Sequence, residues 1–474
     1  MNTLEHYAAW GDALMKAVEA RVMPGTFPMD QAKIVRDQLQ LVASKWNPDL
    51  KIYMAGSCVT LGVLEKDSDF DMCCLVQDLM YDRHKQAKMV EKFWSATRKN
   101  VPHHLRDHIL GLAECRTPVL KLDCINEKEL KHTQFNPLTP EDDKTARTGV
   151  IRLKTTKLSP TQIQELLKKI PGTVVSHNVG PFDPITGAGT TLAVEMSTTT
   201  EALQVLSALP DGQILPRSMR EDLIRDFLDI NVVPELLRFN WDCSFMGYSI
   251  KNSYLIRKYL LEEAPPYARY CSMAIKMWGK SNYVGVGSGG YLTTYAVSIM
   301  FLYFLLVTHN MKWIDPFKLP HPVYMPRYPD QCPLDPEKRP NPAEVGYVVA
   351  EFFRFYSNFN WETEVVSLNR PRRSTRDDLG WHEKEIKQPE AAPFCYYMCI
   401  EDPYEETKFG GLNLGRWLFL DKADIVKKEL LHAAQQITQV HPAQADQVFF
   451  GKKRAPLGQT EWAPRAKGRW EVRN

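Results

Sequence analysis

Short apolar runs and amphipathic stretches alternate over the first quarter of the chain. Ile52–Met54 reads as a short apolar strand that breaks at Gly56-Ser57, and after a connector a second strand runs through Asp69, Phe70, Asp71 and Met72. Side chains two apart on a strand share a face, so Asp69 and Asp71 project together while Phe70 and Met72 turn into a core. Residues 1–48 read as two helices, the second from Asp30 to Lys45, with Pro24 and Pro28 between them. Beyond the acidic strand the pattern predicts a helix over Asp82–Lys99, a charged helical region over His104–Leu112 and a strand over Pro118–Ile125.

The character then changes. Gly149–Thr155 reads as a strand, Ser159-Pro160 caps a helix reaching Lys169, two strands flank Gly180–Gly189, and Thr198–Leu209 reads as a second helix. The order β-α-β-β-α resembles a small ferredoxin-like or RRM-like module inserted in the first domain. It lacks the paired strand aromatics that let such modules stack bases. Protein docking and a supporting RNA surface are the two roles left to it. A strand over Leu236–Phe245 follows and carries Asp242 beside Trp241. Helices are expected over Lys251–Glu262, Pro266–Gly279, Tyr291–Thr308, Ala343–Phe359 and Asp421–Gln439. A Pro-rich connector covers Asp315–Pro342, and Asn369–Pro393 reads as charged loop.

Length and composition narrow the class. A chain of 474 residues holds two or three domains with apolar content for real cores. A net charge of +2 means that a nucleic-acid partner must be met by a local basic patch. The tail beyond Phe450 carries Lys452, Lys453, Arg454, Arg465, Lys467, Arg469 and Arg473 without periodicity and reads as a solvated basic segment. Ten cysteines without a CxxC pair point to reduced, buried thiols and an intracellular compartment. The apolar run Ala296–Val307 is too short to span a bilayer, so no membrane role is expected. The amino terminus resembles neither an Arg-rich transit peptide nor a secretory signal.

The chemistry gathers at the acidic strand. Two carboxylates on one face repel unless a cation lies between them, and hard divalent ions prefer such oxygens. The Gly56-Ser57 turn offers backbone N–H groups and a hydroxyl to a phosphate. A site for two divalent ions calls for a third carboxylate, and both Asp123 and Asp242 are candidates. Lys276 and Lys280 lie four apart on one helix face, able to converge on phosphates or simply solvated. By themselves, Tyr295 reads as core and Asn252 and Ser253 as a helix cap.

Taken in order, Gly56-Ser57, Asp69-x-Asp71, Asn252-Ser253, AIKMWGK, GGYLTTYAV and CIEDPYEET resemble the terminal uridylyltransferases and related template-independent poly(A) polymerases of the DNA polymerase β superfamily. The insert between the strands of Asp123 and Asp242 resembles that of the editosome-associated RNA editing enzymes of trypanosomatid mitochondria. The resemblance covers residues 45–125 and 236–440. It implies an α+β fold: a polymerase-β-like palm (46–139 and 227–255), an inserted middle domain (140–226), a mainly helical base-recognition lobe (1–45 and 256–445) and a basic tail (446–474).

The same resemblance assigns roles. Asp69, Asp71 and Asp242 are the catalytic carboxylates and hold two Mg2+ or Mn2+ ions, with Asp242 preferred over Asp123. Gly56, Ser57, Ser68, Asn252, Ser253, Lys276, Lys280, Thr294, Tyr295, Asp402 and Glu405 bind the nucleotide. The two acidic residues read the uracil N3–H, a donor that an adenine lacks at N1. Arg116 and Arg416 meet the RNA end or the base edge. The implied reaction is UMP addition from UTP to an RNA 3′ end within an editing complex of the mitochondrial matrix, docked through the middle domain. A poly(A)-adding enzyme is the alternative activity; an inert RNA-binding scaffold is the alternative without chemistry.

Overall fold

The computed structural model describes residues 3–451 apart from 24, 26, 47–49, 67, 76–82, 100, 102, 114–116, 123–143, 145–146, 154–156, 171, 181–189, 199–200, 203–222, 228–234, 283, 384, 389–390 and 408–409. Two compact units make up the chain. One comprises Met1–Val22, Leu255–Leu319 and Leu334–Asn474, the other Met23–Tyr254 and Pro320–Pro333.

In chain order, α1 (Thr3–Arg21) and α2 (Phe27–Trp46) precede β1 (Lys51–Met54), the short helix α3 (Gly56–Thr60), β2 (Phe70–Leu75) and α4 (Arg83–Lys99). Then come β3 (Ile109–Leu112) and β4 (Val119–Leu122), followed by β5 (Thr148–Leu153), α5 (Pro160–Lys169), β6 (Val174–Gly180), β7 (Thr191–Met196) and β8 (Leu223–Phe227). The helix α6 (Glu235–Arg238) leads into β9 (Trp241–Ser244) and α7 (Tyr248–Arg257). The remainder holds α8 (Tyr267–Ser281), α9 (Thr294–Thr308), α10 (Pro342–Ser357), β10 (Glu364–Val365), β11 (Ser374–Thr375) and α11 (Arg376–Leu379). It ends with β12 (Glu385–Gln388), β13 (Ala391–Cys395), β14 (Glu401–Thr407), β15 (Gly410–Asn413), α12 (Leu420–Gln439) and α13 (Ala445–Phe450).

In the second unit β1, β2, β9, β4 and β3 form a mixed sheet in that order. Only β2 and β9 run parallel, a pairing that requires a long crossover, and the whole of β3 to β8 lies between them in sequence. One face of the sheet is apolar because alternate residues point there: Phe70 and Met72 from β2, Trp241 and Cys243 from β9, Leu120 and Leu122 from β4. Val90 and Phe93 of α4 and Val35 and Leu39 of α2 cover that face. The other face is left to the alternate positions, among them Asp71, Asp242 and Lys121.

The segment returning at Pro320–Pro333 is tied to β1. Met54 N–H donates to Arg327 O at 3.1 Å and the Tyr53 hydroxyl to Val323 O at 3.2 Å. Arg36 of α2, 2% exposed, lies over the Tyr328 ring at 4.3 Å and donates to Ile52 O at 3.2 Å.

The insert forms its own four-stranded antiparallel sheet in the order β6-β7-β5-β8. With α5 between β5 and β6, this is the split βαβ arrangement of ferredoxin-like modules. Ser159 caps α5 by accepting from Gln162 N–H, whose side chain reaches back to the Ser159 N–H, as the Ser-Pro signature predicts. Ile163 and Leu166 close the core against Leu192, Val194 and Met196.

The first unit is mainly helical. Helix α9 is buried from Ala296 to Leu306 apart from Ser298 on its edge, which explains an apolar run too short for a membrane. Among the described residues, no helix is long and apolar enough to cross one. Helices α1 and α10 pack backbone to backbone: a Cβ on Gly346 would meet Tyr7 O at 2.1 Å.

Four expectations about local structure need correction. The apolar run over Leu236–Phe245 divides into α6 and β9, since Leu236 and Leu237 are buried as a helical pair and Trp241 Nε1–H donates back to Leu236 O at 2.8 Å. Short apolar runs do not by themselves separate helix from strand. His104–Leu112 is not continuous helix but a 3-10 turn over His103–His108 leading into β3. Asn252 and Ser253 do not open a helix; α7 starts at Tyr248 and they occupy its second turn. The stretch read as loop over Asn369–Pro393 holds β11, α11, β12 and most of β13. Of the helix expected over Thr198–Leu209, Glu201 and Ala202 are helical and residues 203–209 lie outside the described set.

Candidate active site

The central feature is a row of side chains across three strands. Asp71 of β2 is the register partner of Asp242 of β9, and Asp242 is the partner of Lys121 of β4. Directly opposed residues point to the same face, so the three stand side by side opposite the apolar core. Lys121 Nζ lies 3.8 Å from Asp242 Oδ1. That contact is electrostatic, beyond hydrogen-bond length.

Asp71 is held by the turn that follows β1. Gly56 adopts φ +61, a left-handed conformation that favours glycine, and a Cβ there would meet Asp71 Oδ2 at 1.9 Å. Ala55 N–H donates to Asp71 O at 2.9 Å, so backbone and side chain both dock against the turn. Gly56 N–H donates to Ser253 Oγ at 3.0 Å, and the Ser253 hydroxyl donates to Ser249 O at 2.7 Å. Helix α7 is thereby fastened to the Gly56-Ser57 turn, with Ser253 buried and Asn252 half-buried beside it. Asp69 and Ser68 sit half-buried just before β2, where Ser68 N–H closes a turn onto Glu65 O at 3.1 Å.

A divalent ion fits this edge by the chemistry of its donors, since two carboxylates meet in register and one is wedged by a glycine. Among the described residues no group of three or more His, Cys, Asp or Glu side chains that could hold a metal ion is drawn together.

The thiols on and beside these strands are buried. Burial pushes Cys73 up to about 12 against a hydrogen bond with Ser244 that lowers it, and pushes Cys74 and Cys243 well above the ordinary thiol value. Among the eight described cysteines, Cys332 alone is half-buried rather than buried.

The first unit carries the other expected residues. Lys276 is buried on α8 and Lys280 half-buried one turn later, on the same helix face. Thr294 and Tyr295 form the first turn of α9, which Thr293 caps by accepting from Ala296 N–H at 3.1 Å. Asp402 is buried, and its Oδ1 accepts from Tyr404 N–H and Glu405 N–H, both at 2.9 Å. The register of β14 with β15 shifts between Glu401 and Glu406, and the half-buried Glu405 lies within that irregularity. Arg416 is buried with its guanidinium 5.6 Å from the Trp417 ring. Arg116 and Asp123 lie outside the described residues.

Lys121 was not among the residues expected here. Its position between buried Leu120 and Leu122 marks it as outward-facing, but register with β9 cannot be read from local sequence.

Residues 344–408 match the family described as Cid1 family poly A polymerase, and residues 138–233 match the RNA editing 3′ terminal uridylyl transferase 2 middle domain. Terminal uridylyltransferase 1 of Trypanosoma brucei brucei is 28% identical over 449 residues, 89% of this chain and 44% of that protein. Terminal uridylyltransferase 3 of the same organism is 31% identical over 47% of this chain and 27% of its own length. The poly(A) RNA polymerase GLD2 of Rattus norvegicus is 24% identical over 40% of this chain and 37% of its own. The chain thus spans under half the length of these curated relatives. Among solved structures, RNA Editing TUTase 1 from Trypanosoma brucei in complex with UTP superposes with a TM-score of 0.63 at 25% identity, covering 92% of this chain and 88% of that one. Terminal uridylyl transferase 4 from Trypanosoma brucei with bound dUTP shares the fold, with a TM-score of 0.58 at 19% identity over 91% and 98% of the two chains. Palm sheet, middle-domain match and similarity over 89% of the chain agree: the chain is similar to the terminal uridylyltransferases and has the polymerase-β-like nucleotidyltransferase fold.

Proposed function

We propose that this protein adds UMP from UTP to an RNA 3′-hydroxyl and releases pyrophosphate. The observation that carries the proposal is the pairing of Asp71 with Asp242 in register beside the Gly56-Ser57 turn. The similarity to a UTP-bound RNA editing TUTase supports uridine as the base.

In the proposed reaction the RNA 3′-oxygen forms a bond to the α-phosphorus of UTP while the bond from that phosphorus to the bridging oxygen breaks. Pyrophosphate leaves, and Asp242 accepts the hydroxyl proton. Asp69, Asp71 and Asp242 would hold two divalent ions, Mg2+ or Mn2+, which when bound neutralise charge on the attacking and leaving oxygens. The Gly56-Ser57 turn, Ser68, Lys276 and Lys280 bear on the triphosphate. Asn252 and Ser253 bear on the ribose, and Tyr295 with Thr294 on the base. Asp402 and Glu405 reach the uracil N3–H through a water, and Arg116 and Arg416 meet the RNA end or the base edge.

The match of residues 138–233 to an RNA editing middle domain supports a place in a mitochondrial editing complex, with the ferredoxin-like module as docking surface. A poly(A)-adding activity is the second reading, favoured by the Cid1-family match over 344–408 and the similarity to GLD2.

Extension of a labelled RNA with each of the four NTPs and Mg2+ tests both readings. UTP is expected to be used in preference, and Asp71→Asn and Asp242→Asn to lose activity about a hundredfold or more. Preferred use of ATP would transfer the proposal to the poly(A) class. No extension with any NTP would leave a scaffold on this fold.

A further inference from the structure

We propose that Lys121 is a resident counter-cation of the carboxylate edge, a positioning residue that compensates Asp242 while no divalent ion is bound and gives way when one arrives. This rests on the metal site proposed above and adds to it the cation that the site uses in between.

The strands dictate the arrangement. Asp71, Asp242 and Lys121 are consecutive register partners, so their Cβ atoms are fixed side by side whatever their side chains do. Asp71 cannot withdraw toward the turn, because its carboxylate already fills the space where a Cβ of residue 56 would lie. Two neighbouring negative charges are thus built into the sheet, and their repulsion must be met in the metal-free protein as well. Lys121 meets it from the next strand. Its Nζ lies 3.8 Å from Asp242 Oδ1, and the two side chains are 27% and 34% exposed.

The form of the contact fits a temporary role. At this length the pair has charge attraction without a fixed hydrogen bond. A lysine is a compact charge on a flexible stem, able to swing away without disturbing the sheet. An arginine fork locked onto the carboxylate would obstruct an incoming ion.

Two effects follow from removing the charge. The metal-free protein loses compensation and melts lower. A divalent ion then meets neither a competing cation nor a like charge and binds more tightly, about two- to fivefold for a pair this exposed.

The test uses the full chain without UTP or RNA, comparing wild type, Lys121→Met, Lys121→Arg, Asp242→Asn and the Lys121→Met/Asp242→Asn double variant. Free Mn2+ is followed by electron paramagnetic resonance, and melting is recorded in EDTA and in saturating Mn2+. Lys121→Met is expected to melt below wild type in EDTA, to close that gap in Mn2+, and to bind Mn2+ about two- to fivefold more tightly. Lys121→Arg should follow wild type in EDTA, and Lys121→Met should cost nothing further in the Asp242→Asn background. Unchanged or weaker Mn2+ binding by Lys121→Met, with wild-type binding intact, overturns the proposal and leaves the metal site standing. Equal melting losses in both backgrounds also overturn it. A wild type that binds no Mn2+ overturns both. Lys121→Gln serves the same comparison if the methionine variant does not fold.

Discussion

The Asp71 carboxylate lies against Gly56, with Oδ2 only 1.9 Å from where a Cβ of residue 56 would stand. The turn and the acid are one construction: β1 delivers the glycine, β2 the carboxylate, and Ala55 N–H to Asp71 O joins them at 2.9 Å. Gly56→Ala brings both a steric conflict and a residue at φ +61 that L side chains rarely adopt. The expected outcome is loss of about 1–3 kcal/mol in stability. UMP addition should fall by about a hundredfold or more, because a displacement near 1 Å at the reacting centre costs that much. Denaturant melts with single-turnover extension check both, and a fully active Gly56→Ala protein would separate the turn from the carboxylate.

Much of this construction was legible in the chain. The alternation Asp69-Phe70-Asp71-Met72 places acids and apolar residues on opposite faces, and burial of Phe70 and Met72 follows that period. The Ser159-Pro160 signature gave the right helix start because capping is a local interaction. What escaped was register and run type. Lys121 belongs to the acidic row only because β4 pairs with β9, a contact between residues far apart in sequence. Leu236-Leu237 and Trp241 fall within one expected strand, yet a bend at Phe239 separates helix from strand.

Base selection should depend on Asp402 and Glu405 in different ways. Asp402 Oδ1 binds the N–H groups of Tyr404 and Glu405, so it shapes the bend that presents Glu405. Glu405→Ala is expected to narrow the preference for UTP over ATP with melting unchanged, since the residue is half-buried at a bulge. Asp402→Ala should narrow the preference and also lower stability by about 1–3 kcal/mol, having left the buried Tyr404 N–H and the half-buried Glu405 N–H without their acceptor. Competition among the four NTPs on one RNA primer, with melts of both variants, distinguishes the two roles. An unchanged UTP-to-ATP ratio in Glu405→Ala would remove that residue from base reading.

The buried thiols predict a pH response. Burial raises Cys73 from an ordinary 9.0 to about 12, and Cys399 likewise to about 12. A raised folded-state value means that the fold favours the neutral thiol. The contribution is complete below pH 9 and is lost as pH rises toward 12, with a slope of about 1.4 kcal/mol per pH unit for each such thiol. Alkylation at pH 8 should accordingly label Cys332 and spare Cys73, Cys74, Cys243 and Cys399 until the protein unfolds. Peptide mass spectrometry locates the label, and urea melts at pH 8 and 10.5 measure the loss. Early labelling of Cys73 in folded protein would contradict this burial.

The buried trio of Arg36, Asp37 and Tyr328 gives a last expectation, because it secures the strand that leads to Gly56. Arg36 contacts both the Asp37 carboxylate and the Tyr328 hydroxyl, and its other nitrogen donates to Ile52 O on β1 at 3.2 Å. Removing one member of a buried pair strands the charge of the other. Arg36→Ala is therefore expected to cost about 3–5 kcal/mol. Tyr328→Phe keeps the ion pair and the ring beneath the guanidinium and loses only a hydroxyl, a cost of about 1–2 kcal/mol. The order of these losses is the discriminating quantity. If the trio also fixes the entry of β1 into the turn, Arg36→Ala should lower UMP addition at temperatures where it remains folded, while Tyr328→Phe leaves it near wild type. Equilibrium unfolding in urea gives the first comparison and RNA extension at 15 °C and 25 °C the second. Equal stability losses for the two variants would mean that the hydroxyl, not the cation, holds the returning segment to the sheet.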